Sequence, residues 1–131
     1  MHSARDLIEE AKRRVTLISC DAAKLRLEDS ENAPVLIDVR EEFEYEMARL
    51  GGSVHISRGT LEMAIEHDYP DRNTPIVLYC SSGDRSALAA LTLQAMGYHD
   101  VASIDGGLHA WQEKNFPVVV PTQQRGPGSG I

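Results

Sequence analysis

No apolar run in the 131 residues approaches the ~20 that a helix needs to span a bilayer. Cysteine is scarce. Only Cys20 and Cys80 occur, 60 positions apart, so the chain has neither a C-x-x-C pair nor the Cys/His spacing of a zinc site. The five histidines, His2, His55, His67, His99 and His109, are scattered and form no i,i+4 ligand pair, and no metal is expected. Positive charge is in deficit: 13 Lys and Arg against 20 Asp and Glu give a net charge of −7. That balance argues against nucleic acid or an anionic membrane surface as a partner, because phosphate binding is driven by a basic face. The N-terminus, Met1 to Arg14, is heavily charged and lacks the apolar core of a secretory signal, so a cytoplasmic location is expected. The sequence leaves open a structural disulfide between Cys20 and Cys80. A reducing compartment favours two free thiols.

What is present fits one compact domain. The chain is 42% apolar and 25% charged, ordinary for a globular protein, and holds no internal repeat. Ala4 to Arg14 has helical periodicity, with Leu7, Ile8 and Ala11 on one face and Ser3 as cap. Val15 to Ser19, Val35 to Val39, Ser53 to Ile56, Pro75 to Tyr79 and Val101 to Ile104 read as strands. Between them lie helical stretches at Asp21 to Leu27, Glu41 to Ala48, Thr60 to Glu66 and about Ser86 to Met96, and Gly106-Gly107 turns the chain into a last helix holding Trp111. Strands alternating with helices predict an α/β fold around a central, mostly parallel sheet.

In open α/β sheets, sites lie beyond the carboxyl ends of the strands, and Cys80 ends such a strand. It is followed by Ser81, Ser82, Gly83, Asp84 and Arg85 and then by a strong helix. Loop amides and first-turn amides have no intrahelical partners and can converge on one anionic centre, aided by the helix dipole. A sulfur placed there is expected as thiolate, its pKa drawn below the free value of ~8.5. Gly83 lets the backbone bend around the sulfur, and Arg85 supplies a positive charge for an anionic substrate. A cysteine ending an apolar strand is, taken alone, a small buried hydrophobe. The loop, glycine, arginine and helix together favour a working thiol.

The pieces LIDVRE (Leu36 to Glu41), PIVLYCSSGDRSALAA (Pro75 to Ala90), LQAMGY (Leu93 to Tyr98) and V-x-x-I-D-G-G-L-x-A-W (Val101 to Trp111), ending in FPV, resemble the rhodanese family in order and spacing. The resemblance implies a five-stranded parallel sheet flanked by helices. It implies a Cys80 persulfide cradled by Ser81 to Arg85, with Asp38 and Arg40 bracing the active loop and the neighbouring helix. The chain then divides into a helical extension at 1–18, the rhodanese-like domain at 19–120, and a Gly/Pro/Gln/Ser-rich disordered tail at 121–131. One segment departs from the pattern: where many members have G-H-I-P-G-A, this chain has Ala48-Arg-Leu-Gly-Gly-Ser53, which bears on substrate choice more than on fold.

The implied chemistry is sulfur transfer without a cofactor. Cys80 thiolate takes the outer sulfur of a small anionic donor such as thiosulfate, and a thiol, cyanide or protein-cysteine acceptor removes it. Two alternatives stay open. A cysteine phosphatase or arsenate reductase also uses a Cys-loop-Arg cradle, although phosphatases resemble Cys-x-x-x-x-x-Arg and here the Cys80 to Arg85 loop has only six residues. A non-catalytic interaction module is the other, and it often lacks the cysteine. Arg49 and Arg58 are candidates for recruiting an anion, with solvated arginines as the default. His55 is expected to pack or face solvent, Cys20 to be structural, Trp111 to pack the last helix on the sheet, and Glu42, Glu44 and Glu46 to form a solvated face.

Overall fold

A computed structural model describes residues 2–121. Its centre is a five-stranded sheet with every pairing parallel. The strands are β1 (Thr16–Ile18), β2 (Val35–Asp38), β3 (Val54–His55), β4 (Ile76–Tyr79) and β5 (Val101–Ile104), in spatial order β1-β5-β4-β2-β3. The three inner strands are nearly unbroken apolar runs, which suits strands covered on both faces. Helices α1 (Ala4–Arg14), α2 (Cys20–Leu27), α3 (Glu42–Met47), α4 (Leu61–Asp68), α5 (Asp84–Ala95) and α6 (Gly107–Glu113) complete the α/β architecture.

Strand alternation splits the core in two. Ile76, Leu78 and Cys80 turn to one face, where Leu61 and Ile65 of α4 and Ala89, Ala90 and Leu93 of α5 cover them. Val77 and Tyr79 turn to the other, against Ala23 of α2 and Leu108 and Trp111 of α6. Cys80 therefore continues the period of β4 and delivers its sulfur to the α5 side. Trp111 packs as expected, buried, with its indole N–H on the Pro117 carbonyl at 2.9 Å and its ring edge-on to Phe116.

Two sequence expectations need correction. Helix α5 starts at Asp84, not near Ser86, so the last two residues of the expected loop belong to its first turn. The sheet also begins before residue 19, because β1 is its edge strand and pairs with β5. Helix α1, capped by reciprocal Ser3–Asp6 bonds, folds back on α5 and buries Ala11 completely, so residues 4–18 are part of the same packed unit. The expectation for the tail falls, beyond Pro121, outside the described residues. No described helix is long and apolar enough to cross a membrane.

Leu93 is fully buried on α5 and holds that helix to the sheet. Leu93→Ala is expected to lower unfolding free energy by about 2–5 kcal/mol, read as a reduced urea midpoint at unchanged slope.

Candidate active site

The sulfur of Cys80 performs the task of a helix cap. Helix α5 has Gly83 at its N-cap, which has no side chain to accept from the first-turn amides. Cys80 Sγ takes that place: the Gly83 N–H donates to it at 3.1 Å and the Ser86 N–H at 3.4 Å. The Ser86 hydroxyl oxygen lies 3.5 Å from the same sulfur. Donors arranged this way favour negative charge on sulfur, and the dipole of α5 acts in the same sense. The residue itself is closed to solvent, while Ser82 at the loop tip is exposed.

The carbonyls at the start of the loop are held from outside it. The N–H of Leu108 donates to the Cys80 carbonyl at 2.8 Å and that of His109 to the Ser81 carbonyl at 3.0 Å. Both donors are first-turn amides of α6, groups without intrahelical partners. The approach is so close that a Cβ on Gly107 would stand 2.4 Å from the Cys80 carbonyl oxygen and 2.8 Å from that of Ser81. Gly83, at φ +95°, bends the loop against Gly106, whose nitrogen a Cβ would meet at 3.1 Å. The two glycines read from the sequence as a turn are thus also the seat of the loop.

Arg85 is one half of an ion pair rather than a free cation. Its two terminal nitrogens donate to the Glu44 carboxylate at 2.9 and 3.1 Å, and one also reaches Ser81 Oγ at 3.3 Å. Glu44 accepts from Ser81 Oγ at 3.3 Å and from its own helix through the Glu41 N–H at 2.9 Å. The hydrogen bonds from Arg85 lower the Glu44 carboxyl from 4.5 to about 2 against the opposing effect of burial. Glu44, expected on a solvated face, is therefore a contact of the loop. Asp84 points the other way, to Lys12 Nζ at 2.8 Å and the Arg5 guanidinium at 3.0 Å, both on α1.

Asp38 and Arg40 are buried and tightly paired. The Arg40 side chain donates to the carboxylate at 2.7 to 3.1 Å and to the Ala48 carbonyl, at the end of α3, at 2.5 Å. Through the Ala48 carbonyl the pair is tied to the C-terminal end of α3. It reaches the loop indirectly, because α3 carries Glu44. The segment Ala48 to Ser53 is fixed from beneath: the Leu50 N–H donates to the Tyr79 hydroxyl at 3.1 Å, which in turn donates to Ser53 Oγ at 3.3 Å. His55 stacks on Tyr45 at 4.8 Å and donates from Nε2 to the Arg40 carbonyl at 2.8 Å, so it packs. Arg58 is held by Glu62 and Thr92, and Arg49 lies 4.4 Å above the Tyr45 ring. Cys20 is a buried free thiol on α2, and burial raises its pKa. Cys80 is free as well, so the two form no disulfide.

A parallel α/β sheet with a sulfur cradled at the end of a central strand defines a class of cysteine-centred α/β domains. The rhodanese-like domain model matches residues 19–114, and the chain belongs to that family. Among curated proteins it is 36% identical over 97 residues to the "Putative sulfur carrier protein YrkF" of Bacillus subtilis (strain 168), which covers 74% of this chain. The chain spans about half the length of that relative, 51%. Among solved structures, a Rhodopseudomonas palustris CGA009 protein of unknown function, described as a "Possible Tyrosine Phosphatase", is 31% identical with a TM-score of 0.80, over 91% of this chain and 96% of that one. The polysulfide-sulfur transferase homodimer of Wolinella succinogenes is 30% identical with a TM-score of 0.73, over 92% and 89%.

Two outcomes follow from this geometry. Because the Glu44 carboxyl is lowered in the folded state, its contribution to stability is complete above its ordinary value of 4.5 and is lost as pH falls toward about 2. Glu44→Gln is expected to cost about 1–2 kcal/mol near neutral pH, with the difference from wild type shrinking in urea titrations at progressively lower pH. Gly107→Ala forces its Cβ into the Cys80 carbonyl and is expected to lower Tm and to increase iodoacetamide labelling of Cys80 as the loop leaves its seat.

Proposed function

We propose that this protein is a sulfurtransferase that carries sulfane sulfur as a persulfide on Cys80, taking it from a small anionic donor such as thiosulfate and passing it to a thiophilic acceptor. The observation that carries the reading is the pair of amides, Gly83 and Ser86, aimed at Cys80 Sγ at 3.1 and 3.4 Å. The names "Putative sulfur carrier protein" for the Bacillus subtilis relative and polysulfide-sulfur transferase for the Wolinella succinogenes protein support it.

In the loading step the Cys80 thiolate attacks the outer sulfur of the donor. A new S–S bond forms, the donor's S–S bond breaks, and its electron pair leaves with sulfite. The negative charge then resides on the outer sulfur of the persulfide. Discharge reverses the polarity: the acceptor's electron pair bonds to the outer sulfur, and Cys80 leaves as thiolate. The amides of Gly83 and Ser86 serve both steps by stabilising charge on sulfur. Cys80 is solvent-closed, so the donor enters by displacing the exposed tip at Ser82. Arg85 steers the donor's oxyanion end only as far as Glu44 leaves its field uncompensated. The acceptor is a thiol, cyanide or a protein cysteine, no cofactor takes part, and a reducing cytoplasm is the compartment this chemistry suits.

The words "Possible Tyrosine Phosphatase" attached to the Rhodopseudomonas palustris protein keep a second reading in view. Against it stands the commitment of Arg85 to Glu44, since a phosphatase arginine must be free to bind phosphate in bidentate fashion.

Thiosulfate and cyanide are expected to give thiocyanate with wild type, together with a mass gain of one sulfur on the Cys80 peptide. Cys80→Ser is expected to abolish both. Hydrolysis of p-nitrophenyl phosphate that depends on Cys80, with no sulfur loading from thiosulfate or polysulfide, would overturn the reading in favour of the phosphatase.

A further inference from the structure

Ser86 and Ser103 form a buried polar pair beside the Cys80 sulfur. Both are fully buried, and their hydroxyl oxygens lie 2.7 Å apart. Ser103 stands in β5 among Val101, Ala102 and Ile104, in register with Leu78 of β4. A hydroxyl in such surroundings is unfavourable unless hydrogen-bonded, whereas replacing both partners by apolar groups is close to neutral. What the pair reaches is the reactive sulfur: Ser86 Oγ is 3.5 Å from Cys80 Sγ and 3.4 Å from the Gly83 carbonyl oxygen.

We propose that Ser86 is a catalytic hydrogen-bond donor to Cys80 and that Ser103 is its positioning residue, the two forming a relay that follows negative charge on and off the inner sulfur. The proposal rests on the sulfur-transfer reading. When Sγ is a thiolate, the Ser86 O–H donates to it. When Sγ is bonded to the outer sulfur, the charge has moved outward, the inner sulfur is a poor acceptor, and the Ser86 O–H turns to the Gly83 carbonyl. In either rotamer Ser86 Oγ accepts from the Ser103 O–H, which fixes the oxygen while its proton swings. No proton is transferred along the pair. The step that benefits is discharge: the acceptor bonds to the outer sulfur, the S–S bond breaks toward Cys80, and the Ser86 hydroxyl meets the charge as it arrives on Sγ.

The test uses Ser86→Ala, Ser103→Ala and the double variant, with two readouts. The first is the pH profile of Cys80 alkylation by iodoacetamide, read by peptide mass spectrometry so that Cys20 is scored separately. The second is single-turnover discharge of the preloaded persulfide by cyanide. Ser86→Ala is expected to slow discharge roughly tenfold, the loss of one hydrogen bond to a charged acceptor, and to change the alkylation profile toward slower labelling. Ser103→Ala is expected to change both in the same direction by less, and to add nothing in the Ser86→Ala background. Tm should fall in Ser86→Ala, which leaves Ser103 unpaired, and recover in the double variant. A Ser86→Ala profile that superimposes on wild type would overturn the proposal. So would a Ser103→Ala effect of equal size with and without Ser86. If the profile responds but wild type never loads sulfur, the transfer reading falls while the hydroxyl's contact with the thiolate stands.

Discussion

Everything around the site turns on the substitution of a cysteine sulfur for a helix cap. The first-turn amides of α5 must find an acceptor, and the N-cap residue is Gly83, which supplies none. Cys80 arrives at the end of β4 with its side chain already on the α5 face, and its sulfur accepts from Gly83 and Ser86. The requirement of the helix and the requirement of sulfur chemistry are met by the same atoms. Burial of Cys80 is then compatible with a chemical role, because its environment is polar on the side that matters.

The remainder of the structure holds that arrangement in place. From below, the first-turn amides of α6 take the Cys80 and Ser81 carbonyls, an approach that only a residue without a Cβ permits at Gly107. From the side, α3 presents Glu44 to Arg85 and Ser81, and α3 is secured by the buried Asp38–Arg40 pair through the Ala48 carbonyl. From the far end, α1 lays Arg5 and Lys12 on Asp84. The two charged residues of the loop are each paired: Arg85 with Glu44, and Asp84 with Arg5 and Lys12. The local field at the sulfur is consequently set by amide and hydroxyl dipoles more than by a net cation, although the chain carries a net charge of −7.

Much of this was legible in the sequence. The apolar runs at 35–39, 75–79 and 101–104 leave little choice but buried parallel strands, and the order strand, Cys80, Gly83, helix announces a cradle. The contacts between distant elements were not legible. Glu44 looks like one more acid on an acidic helix, because its partner lies 41 positions further on. Gly106-Gly107 reads as a turn, and nothing local says that a carbonyl from β4's end sits on it. The start of α5 is hidden in the sequence because Asp84 and Arg85 look like loop residues and the acceptor that caps the helix comes from outside it. Likewise β1 was legible as a strand, but its pairing with β5 joins opposite ends of the chain, so residues 1–18 looked separable. Ser103 is one polar letter in an apolar strand, and its meaning depends wholly on Ser86.

The most direct measurement is a crystal structure of the protein after incubation with thiosulfate. The account predicts one added sulfur on Cys80 Sγ, lying over the loop within hydrogen-bonding reach of its amides, with Cys20 unmodified and the Leu108 and His109 contacts to the loop carbonyls intact. An unmodified Cys80, or added sulfur on Cys20 with the α5 cradle unchanged, would contradict it.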